Sequence, residues 1–256
     1  MKILVCISSV PDTTTKITFT SNNTKFNSNG VQFVINPNDE FGLTKALHIR
    51  ESNAGSTVTV INVGPAANDP VIRKSLAIGA DDAVRIDTIA NDPIQVAHEI
   101  ANYAKENPFD LIITGKESID YNGAVVPHAL GELLSIPSVS PCIGLEINGN
   151  EATITGVIDG GKEDFSANLP VIVGGQKGLV EESELRIPNM RGIMQARSKP
   201  LNVIATSGSG ECQKVVNYDT PTPKAACKLI DAKNVEELVA LLQNEAKVIW
   251  FKLLSQ

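Results

Sequence analysis

The chain is poor in aromatic residues: seven Phe, three Tyr and one Trp make up 4% of 256 residues. So little ring surface argues against a stacking platform for single-stranded nucleic acid. Positive charge is also short. Lys and Arg number 22 against 29 Asp and Glu, a net charge of −7, whereas a nucleic-acid binder usually presents a basic face. No nucleic-acid partner is expected, and the one loose basic cluster is Arg186, Arg191, Arg197 and Lys199. Four cysteines, Cys6, Cys142, Cys212 and Cys227, are far apart and form no C-x-x-C. They read as reduced thiols of a cytoplasmic protein, not as a metal site or a disulfide framework. No apolar run reaches membrane-spanning length, and the stretch from Ile3 to Ile7 is too short and too early for a signal peptide.

Catalytic signatures are missing as well. There is no G-x-S-x-G, H-E-x-x-H or Walker A lysine. His48, His98 and His128 fall in predicted helices without a Ser, Cys or Asp partner in the local sequence, which suits surface or capping roles better than catalysis. No enzymatic turnover is expected. Redox chemistry, if it occurs, needs a cofactor to carry it.

What the chain does have is alternation. Short β-branched runs at 2–8, 57–63, 83–87 and 109–114 read as strands covered on both faces. Between them, helices are predicted at 40–51, 69–78, 92–106 and 123–134, two of them opening on Asp-Pro. This βαβ rhythm predicts an α/β fold with a doubly wound, mainly parallel sheet. A hairpin of 17–20 with 31–35 is expected before the first helix, with Asn22, Asn23, Asn27 and Asn29 in its turns.

The second half changes character. Asn148-Gly149-Asn150 joins strands 142–147 and 151–158 into a hairpin, and 169–173 reads as another strand. A polar segment, 176–199, carries a short helix near 190–197. The stretch 206–211 has a flexible linker's composition. A last helix, 235–244, should bury Val235, Leu238, Val239, Leu241 and Leu242, and the apolar end 247–254 should dock on the domain or on a partner. The expected division is a domain of residues 1–205 and a linker with C-terminal arm, 206–256.

The most informative stretch is Ile112-Ile113-Thr114-Gly115-Lys116-Glu117-Ser118-Ile119-Asp120-Tyr121-Asn122-Gly123-Ala124-Val125-Val126. A strand stops at a glycine, a polar loop follows, and a helix is predicted to open near Gly123. Unpaired N–H groups and the helix dipole at such a point suit an anion, and a nucleotide phosphate is the natural guest. Two other pieces would converge on the same strand ends. Asn36-Pro37-Asn38-Asp39-Glu40 opens the first helix, and Val63-Gly64-Pro65 closes a strand where glycine allows close backbone approach. Helix capping and turning alone would also account for both. Cys6 ends the first strand.

In their order along the chain, 1–10, 36–40, Gly64-Pro65, Ala77-Ile78-Gly79-Ala80-Asp81, 115–120, Asp159-Gly160-Gly161-Lys162-Glu163, Leu169-Pro170 and Gly192-Ile193-Met194 resemble the beta subunit of electron transfer flavoprotein. The resemblance implies an adenine-nucleotide alpha-hydrolase-like fold with a β-hairpin insertion and a C-terminal arm that packs on an alpha subunit. It implies a heterodimer with that alpha subunit, which holds most of one FAD, and an AMP in this subunit, replaced by a second FAD in electron-bifurcating members. It implies electrons arriving from acyl-CoA dehydrogenases, as in fatty acid β-oxidation, and leaving to a quinone oxidoreductase or another acceptor. Carried over by position, the nucleotide would be lined by Cys6, Asn36, Pro37, Asn38, Asp39, Val63 and each residue from Gly115 to Val126.

The family also anchors its dehydrogenase through a loop with a leucine at its tip. Alignment puts Met190 there, within Arg186, Ile187, Pro188, Asn189, Met190 and Arg191; packing of Met190 beneath its own short helix is the alternative. This chain departs from the family's usual loop at two places: Gly123 stands for threonine or cysteine and Val125 for glutamine, so two side-chain donors near phosphate are lost and backbone donors remain. The rival reading is a nucleotide-binding sensor or enzyme of similar fold, for which only Lys116 and Asp120 stand near the phosphate.

Overall fold

The period-two alternation of the strands sorts their side chains to opposite faces. Ile3, Val5 and Ile7 join one core cluster together with Leu111, Ile113, Val171 and Val173. Leu4, Cys6, Ile112 and Ile172 join the other. In this computed structural model, residues 1–224 and 226–249 are described, in two compact units, Met1–Asn217 and Tyr218–Gln256.

In the first unit β1 (Lys2–Cys6) is followed by four short strands, β2 (Ser9–Pro11), β3 (Phe19–Thr20), β4 (Lys25–Phe26) and β5 (Phe33–Ile35), and then by α1 (Pro37–Ser52). The alternation continues through β6 (Thr57–Val63), α2 (Asp69–Ile78), β7 (Asp82–Asp87), α3 (Pro93–Glu106), β8 (Leu111–Gly115) and α4 (Val126–Leu134). Next come β9 (Ser138–Asn148), β10 (Glu151–Ile158), β11 (Gly161–Asn168), β12 (Val171–Gly175), α5 (Met190–Ala196) and β13 (Leu201–Ala205). One nine-stranded sheet runs β11-β10-β9-β12-β8-β1-β6-β7-β13. All its pairings are parallel except β9 with β10 and β10 with β11.

Two helix layers cover the sheet. Leu43 and Leu47 of α1 and Ile72 and Leu76 of α2 close one face. Ala97, Ile100 and Ala101 of α3 and Leu130 of α4 close the other. The chain leaves β1 towards β6 and β7, then crosses to β8 on the opposite side of β1. That reversal is a switch point, where crevices open at the carboxyl ends of strands.

Several expectations need correction. The hairpin before α1 does not pair 17–20 with 31–35: β3 pairs β4 across a turn at Ser21, Asn22 and Asn23, all left-handed, while β5 returns to pair β2. The shorter turn wins because its residues tolerate positive φ. The first helix begins at Pro37, three residues before the expected start at residue 40. Helix α4 opens at Val126 and not at Gly123, because Asn122 and Ala124 hold left-handed conformations that interrupt a helix (φ 48° and 51°). The polar edge strand β11 and the outer strand β13 were not anticipated. The segment 206–211 is not loose: Glu99 accepts from the Thr206 hydroxyl at 2.7 Å and from the Ser207 N–H at 2.8 Å.

In the second unit, α6 (Val235–Asn244) is capped by Asn234, whose Oδ1 accepts the Glu237 N–H at 3.2 Å. Lys228 pairs with Glu245 at 3.1 Å. The apolar side expected to be buried is not: no residue of α6 is buried, and Val235 and Leu238 are exposed. Of the apolar end, Val248 is exposed, while Trp250 to Leu254 lie outside the described residues.

Candidate functional site

A crevice of about 240 Å³ opens over the carboxyl ends of β1, β6, β7 and β8, lined by residues 6–9, 61–65, 68, 89–93, 96, 100, 114–118, 120–121 and 123–127. Of the residues carried over by position, Cys6, Val63, Gly115, Lys116, Glu117, Ser118, Asp120, Tyr121, Gly123, Ala124, Val125 and Val126 line it. Asn36, Pro37, Asn38, Asp39, Ile119 and Asn122 do not.

The first group of these, at the start of α1, braces the loop after β8 from behind. The fully buried Asn36 side chain donates to Asp39 Oδ1 at 2.8 Å and to the Glu117 carbonyl at 3.0 Å. Its Oδ1 accepts the Ile119 N–H at 3.2 Å. Asn38 donates to the same Glu117 carbonyl at 3.0 Å. Asp39 is buried and accepts the Ser8 N–H at 2.7 Å. Burial pushes its carboxyl up to about 7, against the pull of hydrogen bonds from the Ser8 backbone, the Asn36 side chain and the Gly115 backbone. Burial, with the Asp39 charge beside it, also raises the Cys6 thiol, so Cys6 faces the crevice as a neutral group.

The opposite wall rests on residues the sequence reading passed over. Asn62 is buried near the end of β6; it donates to the Ile7 carbonyl at 2.7 Å and accepts from the Asn68 side chain at 3.0 Å. Gly64 fits against this pair: a Cβ there would lie 2.1 Å from Asn68 Nδ2. Arg85, itself buried, donates to the Gly64 carbonyl at 3.0 Å and pairs with Asp69 at 2.7 Å and Asp87 at 2.5 Å. An asparagine, disfavoured in strands, within the β-branched run Thr57–Val63 was the available signal. The wall at 89–93 carried no signal beyond the helix cap Asp92-Pro93.

Residues 123–127 line the crevice at the start of α4. Ala124 is left-handed and Val125 right-handed (φ −92°, ψ −40°), a succession that turns consecutive N–H groups to one side as an anion-binding concavity. No side chain caps the first turn of α4, and Pro127 supplies no N–H there. Lys116 is the cation on the rim, 3.3 Å from Glu117. This arrangement can hold an anionic ligand. Among the described residues no cluster of His, Cys, Asp and Glu could hold a metal ion, and no helix is long and apolar enough to cross a membrane.

The segment expected to meet a partner is held on its inner side and open on its outer side. Arg186 is engaged with Glu51 through two contacts of 2.7 and 2.6 Å. Asn189 caps α5 by accepting the Gly192 N–H at 2.7 Å. Arg73 reaches from α2 to the Ala196 and Lys199 carbonyls, both at 2.7 Å. Met190 does not pack beneath its helix: it is 77% exposed, with Ile187 at 84% and Met194 at 69%.

Sheet order, switch point and crevice define a doubly wound α/β protein of the kind that holds ligands at its strand ends. The model of the electron transfer flavoprotein domain matches residues 24–208. The chain is 33% identical to the electron transfer flavoprotein subunit beta of Bacillus subtilis, over 97% of this chain and 100% of that protein. It is 31% identical to the subunit beta of Syntrophomonas wolfei, over 97% and 98%, and 30% identical to the mitochondrial subunit beta of Oryza sativa subsp. japonica, over 97% and 100%. The chain belongs to the electron transfer flavoprotein beta-subunit family.

Proposed function

We propose that this chain is the beta subunit of a heterodimeric electron carrier, with an AMP in the crevice and the flavin held mainly by an alpha subunit. The observation that carries the nucleotide reading is the uncapped first turn of α4 behind the left-handed Ala124, at the switch point of the sheet. The crevice volume of about 240 Å³ lies a little below the ~300–1,000 Å³ common for ligand sites, so the crevice is a shallow one that suits a small ligand such as a mononucleotide. Backbone donors suit phosphate, Lys116 adds charge, and the apolar Val63 and Val126 suit a base or sugar face.

In this reading acyl-CoA dehydrogenases deliver electrons and a quinone oxidoreductase or another acceptor removes them. The exposed Ile187, Met190 and Met194 support a docking role, since a few apolar anchors amid weak contacts suit transient encounters. The exposed apolar side of α6 supports packing of this helix, the later part of the C-terminal arm, on the alpha subunit. Four free cysteines fit a reducing compartment such as the cytoplasm. The deciding experiment is to co-purify the two subunits, denature them and quantify the released nucleotides. One FAD and one AMP per heterodimer is the expected result. Two FAD would mark an electron-bifurcating carrier, and no nucleotide beyond the alpha subunit's flavin would overturn the assignment of the crevice.

A further inference from the structure

The 206–213 segment, unremarkable by composition, lies along α3 as a strap closed by two carboxylates. Glu99 Oε1 accepts from the Thr206 hydroxyl at 2.7 Å, the Ser207 hydroxyl at 2.9 Å and the Ser209 N–H at 3.3 Å, and its Oε2 accepts the Ser207 N–H at 2.8 Å. Gln95 adds a bond to the Ser209 carbonyl at 3.0 Å. At the other end Asp92 divides its oxygens. Oδ1 caps α3 by accepting the Ile94 N–H at 2.9 Å; Oδ2 accepts the Cys212 N–H at 2.5 Å and the Gln213 N–H at 3.0 Å. Asn91 reaches Glu211 at 3.0 Å.

Asn91 and Asp92 also line the crevice. Asp92 therefore belongs to three things at once: the wall, the start of α3 and the strap. Both carboxylates are buried, yet the hydrogen bonds they accept outweigh the penalty of burial and hold them below the ordinary carboxylate range. They stay charged near neutral pH, and charged acceptors make the stronger hydrogen bonds.

We propose that Asp92 is a positioning residue that couples the docking of the 206–213 strap to the shape of the nucleotide crevice. The proposal rests on the nucleotide reading above. With the strap closed, residues 89–93 are fixed from behind. With it open, Asp92 loses two of its three partners, and the wall is tied only through the helix cap. Coupling of this kind is reciprocal: a nucleotide that selects the fixed wall also favours the closed strap. The chain continues from the strap into the second unit, so the same contacts lie on the covalent path between the crevice and α6.

Two substitutions in the full-length chain separate the alternatives. Asp92→Asn keeps a side-chain oxygen for the Ile94 cap, since Asn and Asp cap helices about equally, but turns an NH₂ group towards the Cys212 and Gln213 donors. Glu99→Gln weakens the strap at a residue that does not line the crevice. We expect faster amide exchange across 206–213 in both variants, and an AMP dissociation constant raised about fivefold or more, the scale of ordinary coupling. Melting temperature should fall in both variants, because each carboxylate contributes stability through the hydrogen bonds it accepts. In the unmodified chain, saturating AMP should slow exchange at Ser207, Cys212 and Gln213. This last measurement stands by itself if Asp92→Asn fails to fold. Faster strap exchange with unchanged AMP affinity in both variants would overturn the coupling and leave the nucleotide reading intact. No AMP binding by the unmodified chain would overturn both.

Discussion

The Ser8 N–H donates to Asp39 Oδ2 at 2.7 Å, tying the end of β1 to the first turn of α1. Asp39 also receives the Asn36 side chain at 2.8 Å, so one buried carboxylate joins the strand, the helix and, through Asn36, the loop that walls the crevice. Its folded-state value of about 7 lies above the ~3.9 of an exposed aspartate. The sign follows from linkage. The unfolded chain loses its Asp39 proton first, so this residue's contribution is fully present below about pH 4 and is lost as pH rises towards 7. Comparing chemical denaturation of the wild type and Asp39→Asn at pH 5 and pH 8, we expect the wild type to lose stability over that interval relative to the variant. Parallel pH dependence in the two proteins would remove Asp39 as the titrating group.

Gly115 ends β8 hard against this cluster. A Cβ there would lie 2.3 Å from Asp39 Oδ1 and 2.9 Å from Asn36 Nδ2. Gly115→Ala should therefore cost about 1–3 kcal/mol, the usual range for overpacking, and should weaken nucleotide binding by displacing the loop. Urea denaturation and AMP titration check the two effects. A variant as stable as wild type would mean that the Asp39 side chain moves aside freely.

Two substitutions in α5 should part company. Met190→Ala removes an exposed side chain and should change stability by no more than about 0.5 kcal/mol, while slowing reduction by a dehydrogenase. Gly192→Ala places a Cβ 2.3 Å from the Ala77 carbonyl of α2, a backbone atom that cannot step aside, and should lower stability as well as the reduction rate. Stopped-flow reduction of the heterodimer together with thermal melts makes the comparison. Equal reduction rates for Met190→Ala and wild type would take the anchor role away from Met190.

Acid should release the strap. Glu99 and Asp92 are held below the ordinary range by the hydrogen bonds they accept, so their contribution is present above the unfolded values near pH 4 and is lost as pH falls through the lower folded ones. Followed by NMR through an acid titration, the Ser207 and Cys212 amides should move together before the α3 amides do. Simultaneous loss of strap and helix signals would show that the strap has no independent opening.

Arg186 and Glu51 form a forked pair on the surface, with side chains 33% and 48% exposed. A double-mutant cycle on Arg186→Ala and Glu51→Ala should give a coupling of about 0.2–1 kcal/mol, the range of exposed pairs. Reduction kinetics that track this coupling would show the pair orienting Ile187 and Met190. Coupling in stability without any in kinetics would confine it to holding the segment.

The strands of the parallel sheet were legible because their β-branched runs are buried on both faces, a pattern that needs no knowledge of neighbours. The caps at Asp92 and Asn234 and the turn at Gly149 were equally local. The polar strand β11 was not legible. It is half of an exposed hairpin, and its partner β10 supplies the hydrogen bonds that hold it. Strand β13 was hidden by its exposure, since an edge strand lacks two-sided burial, and it is defined by its ladder with β7. The opening of α4 was misjudged because the left-handed turns at Asn122 and Ala124 follow from loop closure, not from propensity.

The order of elements, the two-sided burial and the strand–loop–helix at Gly115 were written in the residues themselves, because hydrophobic period and cap chemistry act over a few neighbouring positions. Which side chains stand behind the crevice and which line it was decided in three dimensions. Asn36 meets Glu117 across 81 positions and Asp92 meets Cys212 across 120. Contacts at such separation depend on how the sheet brings its strand ends together, and no local pattern encodes that.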